Sequence, residues 1–329
     1  MYLLKQILLG ALATSTCASA APGQLRQEQR PQHQQQLQPT PETPYRQGTE
    51  DQQHHHQAPN HTVKYFHEPG GGLELGHYDA RFFRGKVPYA AHRAELRHLI
   101  RSYLQTMHEL RVETWLAHGT LLGWWWNGQI MPWDYDLDVQ VTATTMARLG
   151  RDFNRTMHMY TYDDDESEAA KSSSSSSSSS NDTTTTTTTK TPRKTKQYLL
   201  DVNPHHGEPG RADGLNVIDA RWIDTSNGMF VDITALMEQR FADTLGKAPG
   251  VWSCKNYHHY ATTELWPLRR SAFEGAPASV PYGFDPILRG EYGAKSLRTT
   301  VWQGHEWRPE RKEWVRIEGE QEGDAVLQR

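Results

Sequence analysis

Cysteine is nearly absent from this chain. Its 329 residues include two, Cys17 and Cys254. Cys17 lies in an N-terminal segment that reads as removable, so Cys254 is left alone. No internal disulfide then holds the fold, and a zinc site built on cysteines is excluded. Long apolar runs are also missing. Beyond the first residues, no stretch is long and apolar enough to cross a bilayer. An excess of basic charge is missing too. Thirty-five Lys and Arg face 39 Asp and Glu, for a net charge of -4. That argues against a nucleic-acid groove, which needs a basic face.

The N-terminus, "MYLLKQILLGALATSTCASA", has Lys5, an apolar core from Ile7 to Ala13 and the small-x-small pattern Ala18-Ser19-Ala20. It reads as a signal peptide over residues 1–20, with a retained Golgi-type anchor as the rival. Either one places the chain in the secretory pathway, in the Golgi lumen or secreted. Residues 21–62 are rich in Gln, Pro and His and cannot offset the entropy of ordering. They are expected as a disordered linker, with His54-His55-His56 a solvated tract or, less simply, a metal site. Residues 163–196, acidic and then Ser/Thr-rich, are expected as a disordered insertion. Three Asn-x-Thr sequons start at Asn60, Asn154 and Asn181. The folded part is then 63–317, one domain interrupted by the insertion, with 318–329 as a tail.

Within it, Leu96, Leu99, Ile100, Tyr103, Leu104 and Met107 recur at helical spacing, which predicts a one-sided helix over 90–112. "ETWLA" reads as a strand, "LLGWWWNG" as a helix ending at Gly128, and Pro132 as a turn. "DYDLDVQV" reads as a strand and "TTMARLGRDFNR" as a helix. "QYLLDVN", "NVIDARWID" and "MFVDITAL" are three more strands, the last two joined by "TSNG", a hairpin signal. From residue 250 onward, helices and loops are expected. The mixed order predicts an α+β fold with a mixed central sheet flanked by helices.

Asp134, Asp136 and Asp138 occupy alternate positions in "MPWDYDLDVQV". On one strand they share a face, roughly 7 Å apart. Each neighbouring pair then repels by roughly 2 kcal/mol at an effective dielectric near 20. Water or a basic side chain could offset this. A hard divalent cation, Mg²⁺ or Mn²⁺, does so most directly. Gly119-Thr120, at a strand-to-helix junction, could cradle a phosphate. Asp232 is a charge inside an apolar run and needs a partner. The hairpin puts Asp219, Arg221 and Ile223 on its face, so Arg221 either pairs with Asp232 or binds a substrate phosphate bidentately. Two metals held by three carboxylates can stabilise attack and departure at phosphorus. Asp136 and Asp138 would then be ligands, with Asp232 bridging or deprotonating the acceptor.

His118 reads either as a donor-phosphate contact or as a cap on the strand end. Trp124, Trp125 and Trp126 read as core or as sugar-stacking surfaces. Arg269 and Arg270 could neutralise a donor diphosphate, with Tyr292 and Lys295 as weaker candidates. Cys254, His258 and His259 make a poor metal set.

"AHGTLLGWWWNGQIMPWDYDLDVQV" resembles the signature of the LicD/fukutin family. The likeness continues through "NVIDARWIDTSNGMFVDITAL", "ELWPLRRSAFEG", "VPYGFDPILRGEYG" and "HEW". The wording is closest to the fungal branch tied to mannosylphosphate transfer. The resemblance implies a nucleotidyltransferase-type fold. It also implies metal-dependent transfer of a phospho-linked group from a nucleotide diphosphate donor, GDP-mannose or a CDP-alcohol, to a glycan hydroxyl. The family aspartates map onto Asp134, Asp136, Asp138 and Asp232, and the resemblance favours a site role for Arg269 and Arg270. Gly119, Thr120, Arg221 and His118 stay candidate donor contacts on the reading of the residues above. Some fungal relatives are regarded as regulators of a separate transferase, so the alternative is a non-catalytic regulator or glycan-binding partner.

Overall fold

The computed structural model describes residues 63–70, 72–163, 193–208, 215–239 and 250–317. The expected signal peptide, linker and tail lie outside them, as do the sequons at Asn60 and Asn181. Helix α1, Tyr89–Glu109, forms where the apolar spacing places it and buries Leu96, Leu99, Ile100, Tyr103 and Met107. Each such side chain contributes about 1.5–3 kcal/mol by leaving water. It packs on a mixed eight-stranded sheet whose main path runs β1-β2-β6-β5-β4-β3. Its strands are β1, Trp115–Leu116; β2, Asp138–Thr142; β3, Thr156–Asp163; β4, Arg193–Val202; β5, Ala220–Asp224; and β6, Phe230–Gln239. Strands β7, Val251–Ser253, and β8, His259–Ala261, extend it beside β6. This is the α+β architecture with a mixed sheet and flanking helices that the element order predicts.

Helix α2, His118–Asn127, ends where Gly128 takes φ 74°, a left-handed stop that suits glycine. Helix α3, Ala143–Asp152, starts at Thr142, whose hydroxyl accepts from Thr145 N. The β5–β6 hairpin closes through Thr225–Gly228, with Asp224 N donating to Met229 O. It places Arg221 opposite Asp232. Pairing between β2 and β6 is parallel, and Asp138 and Asp232 are partners in it.

Two expectations change here. The insertion is narrower than 163–196: β3 and β4 pair out to Asp163 and Arg193, whose side chains meet at 3.2 Å. Cross-strand pairing orders both flanks; residues 164–192 lie outside the described set. The region beyond 250 is not mainly helix and loop. Besides β7 and β8, it holds helix α4, Thr262–Leu265; the hairpin β9, Arg269–Phe273, with β10, Ala276–Val280; and helix α5, Phe284–Tyr292. A three-stranded sheet follows, of β11, Val301–Trp302; β12, His305–Arg308; and β13, Glu313–Arg316. These strands are too short for an alternating pattern to show.

Candidate active site

The acids arrive by a different route from the one their spacing suggests. Strand β2 begins only at Asp138, so Asp134 and Asp136 come from the preceding loop, not from one strand face. The turn at Pro132–Trp133 causes this, with Asp134 N donating to Met131 O at 3.0 Å. Trp133 is held by Trp314 and His305 of the C-terminal sheet, at ring distances of 4.9 and 5.6 Å. Leu137 is buried and accepts from Asp232 N through its carbonyl at 2.9 Å. The loop is thereby locked to β6 one residue before the parallel ladder starts.

The acids remain close enough to raise one another's pKa, but among the described residues the group whose ligand atoms come within 4.8 Å of one another lies beside them, not among them. Asp134 and Asp136 lie close enough for the Asp136 carboxyl to act on Asp134. Burial, then the Asp136 carboxyl and Asp138, push Asp134 well above the usual carboxylate range. Asp138 is pushed up to about 8, first by burial; Asp136, Asp232 and Glu291 add to this and His118 opposes it. Burial also raises Asp232, against the nearby guanidinium of Arg221. Three carboxylates with raised affinity for positive charge, each with other acids beside it, have the chemistry of ligands for a hard divalent cation. Asp134, Asp136, Asp138 and Asp232 are the residues that would hold it.

Next to these acids lies a group of different chemistry. His118, His258 and Glu291 offer ligand atoms that all lie within 4.8 Å of one another. His118 Nδ1 is 3.0 Å from Glu291 Oε2, and the Tyr260 hydroxyl donates to Glu291 Oε1 at 2.6 Å. Burial works against protonation of His118, but Glu291, Asp138 and Asp136 outweigh it and raise its pKa. His258 shifts the other way, through burial and then His118. Tyr292 belongs to the same neighbourhood: burial, Glu291 and all three loop and strand aspartates raise its hydroxyl pKa.

Gly119 sits in the first turn of α2, where a Cβ would lie 2.9 Å from Asp134 Oδ2. Its bare face is therefore filled by a carboxylate, at the helix end that favours negative charge. Thr120 is buried and accepts from Asp138 N at 2.9 Å, fixing the start of β2. Arg221 takes the ion-pair alternative. It lies 2.9 Å from Asp232 and 2.7 Å from Glu68, with its guanidinium 3.6 Å from the Phe230 ring centre. Asp219 does not join this face; it pairs with Lys255 and accepts from Ala235 N.

The remaining candidates go elsewhere. Arg269 stacks on Tyr282 and donates to its carbonyl, and Arg270 is exposed on the same strand. The structure brings neither into the acidic group. Trp124 donates to Ser271, and Trp126 packs against Trp125, Trp307 and Trp314. Protein contacts thus account for all three tryptophans.

The model of the family described as LicD/FKTN/FKRP, nucleotidyltransferase domain, matches residues 111–283, just over half of the chain. The chain belongs to the LicD/FKTN/FKRP family. Two curated Saccharomyces cerevisiae proteins resemble it. One, named mannosyltransferase regulator 4, is 28% identical over 181 residues, covering 53% of this chain and 13% of that protein. The other, named mannosyltransferase regulator 14, is 28% identical over 144 residues, covering 44% and 12%. The chain thus aligns with about an eighth of the length of either relative. All four candidate aspartates fall inside the LicD/FKTN/FKRP match, as do His118 and His258, whereas Glu291 and Tyr292 lie beyond its end.

Sequence reasoning missed Glu68, Tyr260 and Glu291 and set His258 aside. The usable signal was thin: Glu291 adjoins Tyr292, already a candidate, and contacts His118 from 173 residues away.

Proposed function

We propose that this chain is a metal-dependent phosphotransferase of the secretory pathway. In this reading it moves a phospho-linked group, mannose phosphate from GDP-mannose, onto a glycan hydroxyl in cell-wall mannan or glycoprotein. The observation that carries the reading is the pairing of Asp138 with Asp232 on adjacent parallel strands, with Asp134 and Asp136 folded in beside them. A binding module has no need for repelling carboxylates. A divalent cation bound there supplies charge neutralisation at the reacting phosphate. Asp232 has Oδ1 engaged by Arg221, which orients the carboxylate; in this reading Oδ2 takes the proton of the incoming hydroxyl, and Asp134, Asp136 and Asp138 would hold the cation. That hydroxyl oxygen bonds to phosphorus, the diphosphate P–O bond breaks, and nucleoside monophosphate departs. Tyr292 and His118 flank the acids and can donate to phosphate oxygens.

The test is release of nucleoside monophosphate from GDP-mannose, CDP-choline and CDP-ribitol with Mn²⁺ and acceptor mannan. Release from one donor is expected, and its loss when Asp136→Asn is combined with Asp138→Asn. Equal release by that double variant would remove the metal assignment.

A second reading, a non-catalytic partner of a separate transferase, has support of its own. Both curated relatives are named regulators, and Asp232 is already paired by a buried arginine. Titration calorimetry separates the two. Divalent-ion binding that needs Asp136 and Asp138 supports catalysis; no binding, with or without nucleotide, supports the partner.

A further inference from the structure

We propose that His118, His258 and Glu291 form a second cation site, selective for a borderline metal of the Zn²⁺ type. It would be distinct from the hard-cation site of the aspartates. Two imidazoles and one carboxylate are the donor set that such ions favour over Mg²⁺, and three protein ligands leave a position open for water or substrate.

The geometry points to this in three ways. First, the donor atoms lie within 4.8 Å of one another. Ligands on one ion with bonds of about 2.1 Å sit roughly 3.4 Å apart, so small rotations would close the set. His118 Nδ1 and Glu291 Oε2 are already 3.0 Å apart, and the His118 and His258 rings are 4.2 Å apart between centres.

Second, the far side of two ligands is already held, as in metal sites whose outer partners fix the ligand orientation. The Tyr260 hydroxyl binds Glu291 Oε1, which turns Oε2 toward His118. Cys254 Sγ lies 3.5 Å from His258 Nδ1, which leaves Nε2 for an ion. The Gln140 amide reaches His118 Nε2 only at 3.5 Å, too long to lock that ring.

Third, the three ligands come from separate elements. His118 opens α2, His258 precedes β8 and Glu291 lies near the end of α5. His118 sits at φ 49°, a left-handed value that a residue with a Cβ adopts at a cost. The packing of three elements on one point fixes the imidazole there.

This inference does not depend on phosphotransfer, and its test needs no substrate. The full-length chain, carrying no affinity histidines, is stripped with chelator and titrated with Co²⁺ in excess Mg²⁺. The visible spectrum is followed, because Co²⁺ in a low-coordinate nitrogen and oxygen site absorbs far more strongly than the hydrated ion. One such site per chain is expected, with Zn²⁺ displacing Co²⁺. His258→Ala and Glu291→Gln should each weaken binding at least about tenfold. Asp136→Asn and a variant with His54, His55 and His56 all changed to Ala should keep the band. Circular dichroism melts identify variants that fail to fold, and His258→Asn replaces His258→Ala if that one does. Three results would overturn the site: no strong absorption in the folded wild type, a band that survives both ligand variants, or a band lost with the 54–56 histidines.

Discussion

Replacing Arg221 by Met removes the guanidinium that faces Asp232 and Glu68. The arginine is 3% exposed, 2.9 Å from Asp232 Oδ1 and 2.7 Å from Glu68 Oε1, and stacked 3.6 Å from the Phe230 ring centre. Met keeps most of the apolar contact with Phe230, so the loss is mainly electrostatic. Deleting one partner of a buried pair costs about 3–5 kcal/mol, because the other charge stays buried without compensation. Asp232 makes the case more severe, since burial, and then Asp136 and Glu68, raise its pKa against Arg221. For a domain of this size, 1 kcal/mol shifts Tm by about 2–4 °C, so Arg221→Met should melt roughly 6–20 °C below wild type. The assay is a thermal melt at neutral pH and low salt. Adding Asp232→Asn should restore part of the loss, with a coupling of at least about 1 kcal/mol in a double-mutant cycle. A Tm for Arg221→Met within about 2 °C of wild type would refute the reasoning, as would strict additivity in the cycle. Arg221→Lys should fall between, since one ammonium cannot serve two carboxylates in the same fork geometry.

Other consequences can be checked together. Gly119→Ala pushes a methyl against Asp134 Oδ2; it should weaken Mn²⁺ binding by about tenfold in calorimetry, by analogy with displaced metal-site partners. His92 is buried and held neutral, its pKa lowered to about 4 by burial and then His77. Its unfolded form takes up a proton near its ordinary value, so stability is present above that value and is lost as pH falls toward 4. The share from this group should be about 2 kcal/mol between pH 7 and pH 5, measured as the wild-type Tm drop minus that of His92→Phe. Trp126→Ala opens the aromatic cluster with Trp307 and Trp314. It should cost about 2 kcal/mol or more, with Trp126→Phe closer to wild type. Unchanged melting with weakened glycan binding would instead favour a sugar-stacking role.

Local chemistry was readable in this chain wherever it acts over a few residues. The apolar spacing of α1, the Gly128 stop of α2 and the Asn-Gly turn between β5 and β6 each follow from neighbours in sequence. The pairing of Arg221 with Asp232 follows from that hairpin's register. The alternation of Asp134, Asp136 and Asp138 misled in one respect. It matches a strand, but the Pro132–Trp133 turn, held by Trp314 and His305, delays β2 to Asp138. No local pattern encodes a contact with the C-terminal sheet.

By itself, then, the sequence determined the fold class, the hairpin and the inventory of acids. Those depend on residue type and short-range periodicity. Tertiary structure alone decided the parallel pairing that sets Asp138 beside Asp232, the carboxylate against Gly119, and the meeting of His118, His258 and Glu291. Each joins segments far apart in the chain. Their juxtaposition is fixed by the shared core that β2, β6 and the packed helices bury, a property of the whole fold.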